Sequence, residues 1–143
     1  MATYKNILYA TTKLLKNNFD SDVFVDDSEG LFNKECFYVQ LIPVTSSEAT
    51  KTTNLESLMI SVKYFNNDKI KNYEVANILK DLFSRTLKVN NKYLYISNTE
   101  PNFEKDEVGN MLDFLIYLTY TDKIKQDIEE FDNMQNIEIE MEG

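Results

Sequence analysis

Three stretches of this chain are apolar on both of the alternating faces that a strand presents. In ECFYVQLIPV (35–44), Cys36, Tyr38 and Gln40 alternate with Phe37, Val39 and Leu41. In LESLMISVKYF (55–65), Leu58, Ile60, Val62 and Tyr64 alternate with Met59, Ser61, Lys63 and Phe65. In MLDFLIYLTY (111–120), Leu112, Phe114, Ile116 and Leu118 alternate with Asp113, Leu115, Tyr117 and Thr119. Aromatic and β-branched residues repeating with period two specify strands. A sheet that is apolar on both faces has to cover both. Helices can take one face. The other needs more chain or another subunit, so the pattern points to self-association.

The helices are legible from a different period. Tyr4, Ile7, Leu8, Thr11, Leu14 and Leu15 form one apolar stripe, which predicts a helix over 3–17 with Thr3 as its cap and Asn17-Asn18 as its end. Tyr73, Val75, Ile78, Leu79, Leu82 and Phe83 predict a second over 70–86. Shorter strands are expected at 22–26, 87–89 and 92–97, the last two joined by a tight Asn90-Asn91 turn. Pro43 cannot donate to a ladder, so its strand ends or meets an edge there. The polar runs 45–54 and 98–110 read as long loops. The expected fold class is α+β: a mostly antiparallel mixed sheet with a long hairpin (35–44 and 55–65), and two main helices packed on one face. Residues 1–121 form the expected domain. Residues 122–143 are expected as an acidic tail, either disordered or partly ordered or ordered on assembly, with one helical turn or a short strand at Ile137–Met141.

At 143 residues and 43% apolar content, the chain is one domain's worth of sequence. A chain of this size hides roughly 68–70% of its unfolded surface, enough for a core without metal or disulfide. The single cysteine, Cys36, excludes an intramolecular disulfide and sits in an apolar strand, where a thiol behaves as a small hydrophobe. The N-terminus has no apolar signal core, and no stretch approaches the roughly 18 apolar residues of a membrane span. A soluble protein made in a reducing cytoplasm is expected.

Net charge is −9, which disfavours phosphate-backbone binding and hence nucleic acid. The charge is uneven. Residues 122–143 carry eight acidic and two basic side chains, whereas the first 19 residues carry Lys5, Lys13 and Lys16 and no acid. The two ends can attract each other within or between subunits.

Catalytic chemistry has little to work with. There is no histidine, so the commonest general base and metal ligand is missing. Zinc sites, Ser–His–Asp and Cys–His arrangements fail on residue count. The carboxylates Asp20, Asp22, Asp26, Asp27 and Glu29 lack calcium-loop spacing and read as a solvated turn, as does Glu104-Lys105-Asp106-Glu107. No cofactor or metal is expected.

The order of elements carries a resemblance. ECFYVQLIP follows a short helix and strand. SLMISVKYF, the helix YEVANILKDLF, NMLDFLIYLTYTDK and a closing DNMQNIEIE come after it. In this order the chain resembles the tail terminator (tail completion) proteins of phages and prophages of Gram-positive bacteria, including R-type bacteriocin-like contractile tails. The resemblance implies a non-enzymatic subunit that assembles with itself into a hexameric ring. The ring would cap the head-proximal end of the tail tube and stop its growth. It further implies the tube and sheath proteins as partners, and a head connector in a full phage. The particle would be a virion or headless tail assembled in the bacterial cytoplasm. Thr45, Ser46, Ser47, Glu48, Thr50 and Lys51 in one polar run, Phe103, Glu104 and Lys105 in the other, and Lys5 and Lys13 are then the candidate contacts with neighbours or tube. Three alternatives stay open: a head-closure, head–tail joining or other minor tail protein; a non-viral cytoplasmic adaptor or small-ligand-binding domain; and an enzyme using carboxylates.

Overall fold

The structure, a computed structural model, describes residues 3–25, 35–105 and 109–123. Its elements run α1 (Tyr4–Asn18), β1 (Asp22–Val25), β2 (Cys36–Glu48), β3 (Thr53–Phe65), α2 (Lys69–Leu82), β4 (Thr86–Val89), β5 (Lys92–Lys105) and β6 (Asn110–Lys123). The strands form one sheet in the order β1-β2-β3-β6-β5-β4. Every neighbouring pair is antiparallel except β1–β2, which is parallel.

One face of the sheet is the core face. Phe37 lies opposite Tyr64 and Val39 opposite Val62 across β2–β3. Across β3–β6, Ile60 meets Ile116, Val62 meets Phe114 and Tyr64 meets Leu112. All of these are buried, together with Ile7 and Leu15 of α1 and Val75 and Leu79 of α2, in one cluster. Both helices thus bury their stripes against the same set of strand residues. α2 lies along β6 and β5. α1 touches β1 and β2 at one side of the strand order and β4 at the other. The sheet therefore curls, and α1 fills the concave side between its two ends.

The helix ends follow from local chemistry. Thr3 Oγ1 accepts the Asn6 N–H at 3.1 Å, and Asp68 Oδ1 accepts from Ile70 N at 3.0 Å, so each helix has a side-chain N-cap. α1 ends without the left-handed residue expected at Asn17-Asn18. Phe19 is extended instead (φ −138°), and its ring packs on Phe37 at 4.8 Å between centroids. α2 stops at Leu82, four residues before the expected end at 86, because buried Phe83 turns the chain into β4. The β4–β5 turn does use a left-handed residue, Asn90 (φ 55°).

The largest departure from expectation concerns the two polar runs. Residues 45–48 continue β2, and only 49–52 turn. Residues 98–105 continue β5. Neither run leaves the sheet: their ladders to β3 and β6 continue to Glu48–Asn54 and Lys105–Asn110, and α2 reaches over the second run, where Tyr73 packs on Phe103 at 4.6 Å between centroids. Pro43 lies inside β2, beside a bulge between Pro43 and Thr45.

The opposite face carries Ile42, Met59, Met111, Leu115 and Tyr117, all half-buried, around a polar centre. There Ser61 Oγ donates to Asp113 Oδ1 at 2.7 Å, and the Lys63 ammonium lies 5.7 Å over the Tyr38 ring. No described helix packs on this face. Cys36 is fully buried. The acidic tail's possible strand or helical turn, and the carboxylates Asp26, Asp27 and Glu29, lie outside the described residues.

Candidate assembly interface

The candidate contact residues fall into three places. Thr45, Ser46, Ser47 and Glu48 line the far half of β2, paired with Ser57, Glu56, Leu55 and Asn54. Ser46 Oγ donates to Glu56 Oε2 at 2.7 Å, and Thr50 and Lys51 form the exposed β2–β3 turn. Phe103, Glu104 and Lys105 close β5 against Leu112, Met111 and Asn110. That is the opposite end of the sheet, since Asn110 neighbours Asn66 at the end of β3 while Asn54 opens it. At about 3.3 Å per residue along β3, the two hairpin tips stand roughly 36 Å apart. They cannot form one patch within a subunit.

Lys5 and Lys13 lie on α1. Lys13 lines a groove of about 800 Å³ between α1 and the β4–β5 hairpin, with Tyr9, Lys88, Asn90 and Tyr93. The Lys5 ammonium stands 5.6 Å over Tyr9, and Lys88 stands 5.8 Å over Tyr93. Among the described residues no acidic side chain lines this groove. Sequence reading missed Tyr9, Lys88 and Tyr93. Their partial signal was exposure: Tyr93 lies on the solvent side of a short hairpin, where a core aromatic would not be placed.

The only perturbed acid described is structural. Glu35 accepts hydrogen bonds from the Tyr64 and Ser21 hydroxyls. Donation by Tyr64 holds its carboxyl below the ordinary 4.5. Partial burial opposes this, and Ser21 and the Lys71 charge assist. Burial, and then its bond to Glu35, push the Tyr64 phenol well above 10.0, against a donation from Asn66 Nδ2.

The signs follow from linkage. A carboxylate depressed in the fold stabilises it above its ordinary value, and that contribution is lost as pH falls through 4.5 and below. A phenol raised in the fold destabilises it progressively as pH climbs past 10.0. Tyr64→Phe is expected to cost about 0.5–1.5 kcal/mol through the lost hydrogen bonds, and to flatten the acid limb. Urea unfolding of both proteins between pH 3 and 7 checks this. An unchanged acid limb in the variant would assign that limb to other groups.

Among the described residues no cluster of three His, Cys, Asp or Glu side chains stands ready for a metal ion. No helix among them is long and apolar enough to cross a membrane, which says nothing of β-barrels. What the fold presents is a curled six-stranded sheet with two helices packed on it, an exposed β2–β3 turn, an exposed β5 end at Glu104–Lys105 and a basic aromatic groove. These are features of a protein that works by contact. The chain belongs to the phage tail terminator protein family, whose model matches residues 6–130. It is therefore a structural protein of a phage tail, a part of a virion or tail particle that associates with other tail components. No curated protein matches the chain. One solved structure shares its fold at 12% identity and a TM-score of 0.50, covering 88% of this chain and 99% of that one. At that identity the likeness concerns fold alone.

Proposed function

We propose that identical copies of this chain form a ring that caps the head-proximal end of a tail tube and stops its polymerisation. Membership of the tail terminator family over residues 6–130 carries the reading. The geometry is compatible with it. The hairpin tips around Thr50-Lys51 and Lys105 stand at opposite ends of a stiff sheet, so one end can meet the tube while the other faces the head side. The Lys5–Lys13 surface offers positive charge to an acidic neighbour.

The test polymerises the tail-tube protein with and without the full chain and images the products. Tubes of limited length, with labelled chain at one end only, are expected. Unchanged length distributions, or label spread along the tube, would reject the role. Label at a head connector but not on bare tubes would move the chain to the head–tail joint.

A further inference from the structure

We infer that copies of this chain join edge to edge through their sheets, the free half of β2 on one copy pairing antiparallel with the free half of β5 on the next. The inference rests on the ring reading above and names the surface by which the ring closes.

Among the described residues the sheet has two long open edges. β1 covers β2 only over Cys36–Val39, which leaves 40–48 without a strand on that side among the described residues. β4 covers β5 only over Lys92–Tyr95, with one further bond from Ile96 N to Arg85 O. That leaves 97–105 without a strand on that side among the described residues. The two free stretches are equally long, lie on opposite sides of the sheet, and are exposed along most of their length.

The ladder shows where their backbone groups point. Ala49 N bonds to Thr53 O, so 49–53 is a hydrogen-bonded pair. Alternation then turns the backbone of Leu41, Pro43, Ser46 and Glu48 outward, away from β3. Asn66 N bonds to Asn110 O, so the odd-numbered residues of β6 bond to β5. The backbone of Thr99, Pro101, Phe103 and Lys105 consequently points outward.

Both prolines of the chain thus sit on open edges, each at a position whose nitrogen faces out, and each edge begins at or contains a bulge. Proline and bulges blunt an edge against indiscriminate pairing. Here they leave donors on either side of the proline, which admits a partner in a restricted register.

A second copy fits these edges better than an unrelated partner. A foreign strand would need one edge, whereas two matched edges on opposite sides can satisfy each other. β2 and β5 run in opposite directions, so copies related by rotation about an axis near the strand direction bring them together antiparallel. The contact is heterologous, as a closed ring requires. The free halves are offset along the sheet by about five residues, roughly 17 Å. Tilted strands in a closed sheet produce such a stagger.

The test uses the full-length chain, alone at high concentration and on isolated tube ends, with native mass spectrometry as readout. Ser46→Pro and Thr99→Pro each remove one outward N–H. Ser46→Ala and Thr99→Ala keep it. Wild type and both Ala variants are expected to form closed oligomers, and each Pro variant to stay monomeric with unchanged circular dichroism. Mixing the two Pro variants is expected to give a dimer and nothing larger, because one good edge remains on each. Hydrogen exchange of the wild type supplies a second readout: the outward amides of Ser46, Glu48, Thr99, Phe103 and Lys105 gain at least tenfold protection on assembly. Closed oligomers from either Pro variant, oligomers above dimer in the mixture, unprotected edges, or a wild type monomeric in both settings would each overturn the pairing. Rings that persist in the Pro variants while still capping tubes would reject the edges and leave the capping role standing.

Discussion

Phe114→Ala is expected to cost about 3–5 kcal/mol, the range for emptying a fully buried aromatic site. Phe114 is 1% exposed at the centre of the core face, between Val62 of β3 and Pro101 of β5. It also borders the cleft where α2 overhangs β5, beside Tyr73, Ala76 and Phe103. The strands on both sides are fixed by long ladders, so the backbone cannot collapse into the space, and the cavity term adds to the lost transfer energy. Against a typical total stability of about 5–15 kcal/mol, the variant would be marginal at 37 °C. Urea unfolding followed by tyrosine fluorescence measures the loss. A loss under about 1 kcal/mol would mean that α2 relaxes into the gap, and that the cleft is softer than its packing implies.

Leu15→Ala is expected to cost about 2–5 kcal/mol, with a different consequence. Leu15 is fully buried in the last turn of α1. That helix touches β1 and β2 on one side and β4 on the other, so it ties the two ends of the strand order together. Loosening it frees the short outer strands β1 and β4, while the long central ladders of β3, β6 and β5 hold. Amide exchange should therefore rise first in β1 and β4 and in α1 itself, not uniformly. Lys16→Ala, one residue on and exposed, should stay within about 0.5 kcal/mol of wild type. Equal acceleration across β3 and β6 in Leu15→Ala would refute the idea of α1 as a tie between the sheet's ends.

The core was legible because large side chains at period two or 3.6 leave few alternatives. Val62, Tyr64, Phe114 and Ile116 face where alternation puts them. Strand length was not legible. Thr45–Glu48 and Asn98–Lys105 have loop-like composition, yet they are strands, because neighbouring β3 and β6 run alongside and hold them by backbone bonds that composition does not record. Pro43 shows the same limit at one residue. Its missing N–H is compatible with mid-strand because that nitrogen faces the open edge, a fact that depends on ladder phase. The parallel β1–β2 pairing depends on a connection through 26–34, which carries no periodic signal. As for the candidate contacts, residue chemistry picked out Thr45–Glu48 and Phe103–Lys105 as accessible. It could not say that they are edges on opposite sides of one sheet, because that follows from strand order.

The complete burial of Cys36 has a practical consequence. It is the chain's one native thiol and lies at the start of β2, shielded from solvent. A maleimide dye added to the folded protein would find no ready target. A single cysteine introduced at an exposed position such as Lys51 would then take the label alone, with the native background intact. Donor- and acceptor-labelled batches of that variant, mixed, would report separations between neighbouring copies by energy transfer and allow them to be counted by stepwise photobleaching.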